Sequence, residues 1–180
     1  FSIFSPPFAS LFTYSSDIAD MGNCGNSDEE FTLNYRFFAE RLLRVMMPGR
    51  KVAVHVSQLP ILKSLTGYIG MKDFRGLIIE TMQQSGFYCK GEVAIKKNQQ
   101  MQSIVKHAPG LAMHIFESDS NKSLPCYNDY VLIFEKPGEN LIPITPVKNK
   151  EMTKDDWIKY ASGCWMVSEE TCEIRESDIL

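Results

Sequence analysis

The sequence lacks several things, and each lack removes a class of explanation. It has no G-x-G anywhere: the 11 glycines are scattered, and neither Gly22-x-x-Gly25 nor Gly67-x-x-Gly70 is a substitute. A glycine-rich turn that lets backbone approach a cofactor closely is therefore not to be found in these residues. It has no C-x-x-C pair. Its cysteines are an odd five (Cys24, Cys89, Cys126, Cys164, Cys172), and no histidine stands near Cys164 and Cys172. That argues against a zinc site and against a disulfide framework, and it leads to the expectation of reduced thiols in a cytoplasmic protein. No apolar run approaches the roughly 20 residues needed to span a bilayer. The first residues lack a basic n-region and a small-residue cleavage site, so no signal peptide is expected. There is no internal repeat and no low-complexity tract. There is also no charge excess of the kind that coats nucleic acid, since the net charge is −3.

What is present suits one soluble globular domain. The chain's 180 residues are enough to bury a core, and 44% hydrophobic with 23% charged residues is ordinary for such a domain. Charge is uneven along the chain. Arg36, Arg41, Arg44, Arg50 and Lys51 face only Glu40 within their stretch, and Lys90, Lys96, Lys97, Lys106 and His107 face only Glu92 in theirs. The acid gathers in Asp28-Glu29-Glu30 and in the tail from Glu169. Such runs form either a solvated face or a local basic patch for DNA. The chain does not begin with methionine and opens in mid-strand, so an excised domain or fragment is expected.

The opening stretch, Phe1-Ser2-Ile3-Phe4-Ser5-Pro6-Pro7-Phe8, organises the rest. Phe1, Ile3 and Phe4 suit a buried strand. Pro6 and Pro7 cannot donate to a ladder, so that strand must stop by Ser5, in a rigid loop. The C-terminal edge of an open α/β sheet is where ligands bind. A hydroxyl, proline-fixed carbonyls and an aromatic ring at that edge are either a plain strand end or a holder for a flat, NH-bearing ring such as a nucleobase.

Further along, residues 8–26 read as a long mobile loop carrying Phe12 and Tyr14. Ser27-Asp28-Glu29-Glu30 fits a capping box, and Phe31, Tyr35, Phe38, Leu42 and Val45 make one apolar helix face ended by Pro48-Gly49. Lys51 to Val56 is a strand. His55, alternating with its valines, reads as a packed or hydrogen-bonded residue at the strand's edge. Gln58 to Met71 reads as a loop with weak helical character. Asp73 caps a second helix with Phe74, Leu77, Ile78 and Met82 on one face, ended by Gly86. Phe87 to Lys96 is a third strand and Tyr130 to Phe134 a fourth. Asn98 to Lys106 has a helical pattern, within an insertion over residues 97–128. Pro137, Pro143 and Pro146 mark an extended linker, Thr153 caps a short last helix with Trp157, Ile158 and Tyr160, and the tail is acidic and irregular.

Ser5-Pro6-Pro7-Phe8 resembles the catalytic motif of the DNA amino-methyltransferases, Asp/Asn/Ser-Pro-Pro-Tyr/Phe. The likeness continues through Phe8-Ala9-Ser10-Leu11-Phe12-Thr13-Tyr14, Asp20-Met21-Gly22-Asn23, Asp73-Phe74-Arg75-Gly76, Gly91-Glu92-Val93, Lys136-Pro137-Gly138-Glu139-Asn140 and Arg175-Glu176-Ser177-Asp178. It covers essentially the whole chain and is similar to a phage and bacterial restriction-modification branch of the family. The implied fold is α/β: part of a class I methyltransferase (Rossmann-like) sheet, three parallel strands with crossover helices plus an antiparallel strand. Residues 1–136 would be the catalytic half, and 137–180 a linker, short helix and acidic tail leading toward a cofactor half that follows in the permuted class with the catalytic motif first.

The implied activity is transfer of a methyl group from S-adenosylmethionine to the exocyclic amino group of adenine or cytosine in DNA. Ser5 Oγ and the Pro6 carbonyl would accept from the amine, Pro7 would hold the loop, and Phe8 would stack on the flipped base. Phe12, Tyr14, Lys96, Lys97 and Lys106 would contact DNA. Serine in the first motif position leans toward cytosine without settling the base. Relatives acting on RNA or on a protein amide usually carry Asn there. The family's Phe-x-Gly-x-Gly donor loop is the departure, because this chain has no G-x-G. The implied partners are DNA and a cofactor half, in the same protein or in a complementary chain, within a bacterial or phage-infected cell. The alternative is a non-catalytic DNA-binding remnant or split subunit.

Overall fold

A computed structural model describes residues 1–8, 15–17, 20–23, 28–61, 63–98, 116–117, 119, 124–125, 127–142 and 152–166. Ser2–Phe4 (β1) and Lys51–Ser57 (β2) pair in parallel, with Phe4 opposite Val54. Asp28–Val45 (α1) crosses between them. Leu59–Ile61 (β3), Lys63–Thr66 (α2) and Gly70–Lys72 (β4) follow, then Phe74–Gln84 (α3) and Tyr88–Lys96 (β5). Asp129–Glu135 (β6), Lys154–Tyr160 (α4) and Cys164–Met166 (β7) complete the described elements.

The main sheet runs β1-β2-β6-β5-β7. β6 is antiparallel to both β2 and β5, while β7 is parallel to β5. β1, β2, β5 and β7 thus point one way, and β6 is inserted against them. This is the expected pattern of three parallel strands with crossover helices and an antiparallel strand, extended by a short fourth parallel strand.

One face of the sheet builds the core. Val52, Val54 and Val56 of β2 and Leu132 and Phe134 of β6 meet Phe31, Tyr35 and Ala39 of α1 and Phe74, Ile78 and Met82 of α3. These side chains are 0 or 1% exposed, so each large one contributes about 1.5–3 kcal/mol of burial. Phe31 stacks on Tyr35 at 5.8 Å and meets Phe74 at 5.3 Å between ring centroids. Burial pushes the Tyr35 phenol well above its ordinary value.

The α1 face differs from expectation at its far end. Val45 is 80% exposed, and Phe38 lies at the flank of the core with its ring edge-on to Phe4 at 5.1 Å. Ala39 takes the central position, because the helix packs so closely there that a small residue fits. Gly49, at φ 68, ends the crossover with its Cα facing Asn140, where a Cβ would fall 2.7 Å from that residue's backbone nitrogen.

The expected caps at Asp73 and Thr153 form, whereas the Ser27 box lies outside the described residues. The Asp73 carboxylate accepts from Gly76 N at 3.0 Å and from Gln58 Nε2 at 2.8 Å. At the other end of α3, Gly86 sits at φ 101, with Gly86 N donating to Gln83 O and Phe87 N to Met82 O, a Schellman pair. Thr153 and Asp156 form a reciprocal capping box on α4.

Two expectations are corrected. Residues 58–71 hold a β3–β4 pair with α2 between, where a loop was expected, because cross-strand pairing and the Gln58 contacts supply order that the local pattern does not. Part of the tail is also ordered, since Cys164–Met166 extends the sheet beside Ala94–Lys96. No helix among the described residues is long and apolar enough to cross a membrane.

Asp73→Ala should destabilise the chain by about 1 kcal/mol in urea unfolding, with Asp73→Ser retaining most of the cap. Hydrogen bonds from Gln58 and then from Gly76 hold the Asp73 carboxyl below its ordinary value. Its contribution is therefore full above the usual carboxylate range and is lost as pH falls through the lowered value. The gap between wild type and Asp73→Ala should be constant at neutral pH and close only in strong acid.

Candidate active site

Side chains alternate across a strand, so the β1–β2 register assigns each residue a face. Phe4 and Val54 point to the helices and the core. The next residues, Ser5 and His55, point to the opposite face. On that face β2 presents His55 diagonally to Asp129 of β6, which is paired with Ser57 and with Ile95 of β5. Lys97, two residues beyond Ile95, is on the same side.

The outcome is a row of four polar side chains across four adjacent strands, at the C-terminal edge of β1, β2 and β5. Ser5 Oγ donates to the His55 carbonyl at 3.0 Å and lies 3.5 Å from His55 Nδ1. His55 Nε2 meets Asp129 Oδ2 at 3.1 Å, and Lys97 Nζ meets the same oxygen at 2.5 Å. Asp129 is buried at 3% exposure, whereas His55 and Lys97 are about one-third exposed. A buried carboxylate needs partners to stay ionised, and these two provide them.

The expected site residues fall into three groups. Ser5 is exposed on the loop and Pro6 is buried beneath it, with Pro7 and Phe8 half-buried. The Phe8 ring packs partly into the core, edge-on to Phe74 at 6.3 Å, so one edge of it is committed to structure. Lys96 is exposed at the end of β5, while Lys97 is paired with Asp129. Phe12, Tyr14 and Lys106 lie outside the described residues.

Sequence reasoning passed over two members of the row. It read His55 as a packed or hydrogen-bonded residue at the strand's edge, and the ring is indeed hydrogen-bonded. It stands in mid-strand against Asp129, however, and Asp129 was not singled out at all. An aspartate heading an apolar strand was the available signal, but only the antiparallel insertion of β6 brings it to His55.

A cavity of about 390 Å³ opens near this edge, lined by Gln58, Arg75, Tyr127 and Tyr130 among others. Its polar ends are largely spent. Gln58 is held by Asp73 and by Arg75 N, and Arg75 Nη1 reaches both oxygens of Glu92 at 2.6 and 2.8 Å while the guanidinium lies over Tyr130. The Ser5 edge, with an exposed hydroxyl, is the better candidate.

No family model matches the chain, and no protein of the curated set matches it by sequence. Solved structures do match. A Thermus thermophilus protein assigned as a DNA modification methylase superposes with a TM-score of 0.63 at 14% identity, over 92% of this chain and 58% of that one. The same protein complexed with S-adenosyl-L-methionine gives 0.63 at 16%, over 93% and 59%. The cytosine-N4-specific PvuII DNA methyltransferase gives 0.51 at 13%, over 93% and 50%. The chain therefore has the fold of these DNA methyltransferases, and it spans between half and three-fifths of their length.

Lys97→Ala should leave the buried Asp129 short of a partner and cost about 1–3 kcal/mol in urea unfolding. An unchanged midpoint would mean that solvent already screens the pair.

Proposed function

We propose that this chain is the base-holding half of an S-adenosylmethionine-dependent DNA methyltransferase that modifies the exocyclic amine of adenine or cytosine. The observation that carries this reading is Ser5. Its exposed hydroxyl ends a proline-stopped strand, at the ligand-binding edge of a sheet that shares its fold with DNA methyltransferases.

An exocyclic amine is a poor nucleophile because its lone pair is delocalised into the ring. Acceptors aimed at its two hydrogens favour the pyramidal nitrogen and stabilise the positive charge that grows there during attack. Ser5 Oγ and the carbonyl of Pro6 are those acceptors. Pro6 and Pro7 keep them in place by removing backbone freedom. The base leaves the duplex to reach this edge, at a cost of a few kcal/mol. Phe8, half-buried beside Phe74, is the aromatic residue that would stack on the base, and such stacking offsets about 1–3 kcal/mol of this. Lys96 suits a phosphate contact, as do Phe12, Tyr14 and Lys106 a DNA strand, and such binding is salt-dependent.

There is no G-x-G loop in the sequence, and the side of β1 away from β2 carries no strand among the described residues. Phe1 and Ile3, expected to be buried, are 80% and 69% exposed, because the alternation that turns Phe4 to the core turns Ile3 to the face of Ser5. That open edge suits a cofactor half, from the same protein or a complementary chain, which would place the donor beside Ser5.

The test is methyl transfer from labelled S-adenosylmethionine to duplex DNA by the full-length protein that carries this chain. Ser5→Ala should slow transfer by about 10²–10³-fold with DNA affinity little changed. No label in the DNA, or transfer indifferent to Ser5→Ala, overturns the reading. The missing glycine loop favours a second reading, a DNA-binding remnant or split subunit. Salt-dependent DNA binding with neither donor binding nor transfer would select it.

A further inference from the structure

We infer that His55, held by Asp129, is a positioning residue that carries a proton away from the target amine through the Ser5 hydroxyl. This deepens the methyltransferase reading and rests on it.

An ionised carboxylate only accepts hydrogen bonds, so the 3.1 Å contact with Asp129 Oδ2 places the imidazole proton on Nε2. Nδ1 then presents its lone pair to Ser5. Among the described residues, the charged groups facing the ring are Asp129 from β6 and, behind it, Lys97 from the end of β5. Lys97 Nζ meets the same carboxylate oxygen as the ring, so Asp129 is held as an acceptor by two donors. The Ser5 hydroxyl has two acceptors within reach, the His55 carbonyl at 3.0 Å and His55 Nδ1 at 3.5 Å. A rotation about the Ser5 Cβ–Oγ bond moves its hydrogen from one to the other.

The chemistry needs such a path. When the amine nitrogen attacks the methyl carbon of a sulfonium donor, an N–C bond forms, the C–S bond breaks and a neutral thioether leaves. The nitrogen is left cationic with one hydrogen too many. That N–H bond breaks onto Ser5 Oγ as the Ser5 O–H bond breaks onto His55 Nδ1, so serine ends unchanged and the imidazole takes the charge. His55 is about one-third exposed, so it can then release the proton to water. Ser5 itself is far too weakly basic to hold the proton, which is why a base behind it matters.

The experiment is single-turnover transfer by the full-length protein, from labelled S-adenosylmethionine to duplex DNA, between pH 5.5 and 9. His55→Gln should lower the rate by about 10²-fold and flatten the acid limb of the pH profile, with the dissociation constants for DNA and donor unchanged. Asp129→Asn should do likewise, because its amide donates to Nε2 and imposes the wrong tautomer. Imidazole ¹⁵N NMR gives a readout independent of turnover: an Nε2–H tautomer in the wild type and Nδ1–H in Asp129→Asn. An Nδ1–H tautomer in the wild type overturns the inference, as does a wild-type rate and pH profile in His55→Gln. If Ser5→Ala is inactive while His55→Gln is normal, the relay fails and the methyltransferase reading stands. If Ser5→Ala also transfers normally, that reading falls with it.

Discussion

The parallel pairing of β1 with β2 is the constraint on which the rest depends. Phe4 sits opposite Val54, and both turn toward α1 and α3. Because the side-chain period of a strand is two, Ser5 and His55 then have to emerge together on the other face. A slip of one residue would carry Ser5 into the core and Phe4 into water, with the loss of its ring contact to Phe38. Pro6 and Pro7 forbid further pairing, so the register is set by a strand of three residues whose stop is chemically enforced. Burial of Phe4 against the helices is what makes so short a strand hold one register.

The two faces of the sheet have different work. The helix-covered face is apolar and closely packed, with aromatic rings of α1 and α3 interleaved over the valines of β2. The opposite face carries polarity in a line, Ser5, His55, Asp129 and Lys97, one from each neighbouring strand or its end. Asp129 is buried and its charge is tolerable because an imidazole and an ammonium meet the same carboxylate oxygen. His55 and Asp129 ride on strands, and Ser5 and Lys97 directly follow strand ends, so the arrangement inherits the rigidity of the sheet instead of the freedom of a loop.

Elements whose signals are local were legible. The α1 stripe through Phe31 and Tyr35, the valine alternation of β2, Asp73 as cap, Gly86 as the left-handed stop and the Thr153 box each depend on residues within a turn or two of one another. What depended on partners far along the chain was not. The β3–β4 pair and β7 are three-residue strands that exist by virtue of their neighbours. Val45 fits the helical period of α1, yet that helix outruns the sheet beneath it and leaves the residue in solvent. Phe8, read as a stacking ring for the base, spends one edge on Phe74 of α3.

His55 marks the same boundary at the candidate site. From the sequence it was one histidine among valines, and the bland assignment was the sensible one. The sequence by itself determined where many of the elements start and stop, that Ser5 ends a strand at the C-terminal edge of the sheet, and that no G-x-G occurs. Those are matters of proline, glycine, caps and periodicity, which act over a few residues. Only the tertiary structure decided what stands behind Ser5. β6 enters the sheet antiparallel between β2 and β5 and so brings Asp129, 74 residues further on, against the imidazole, a meeting of distant residues that no local preference encodes.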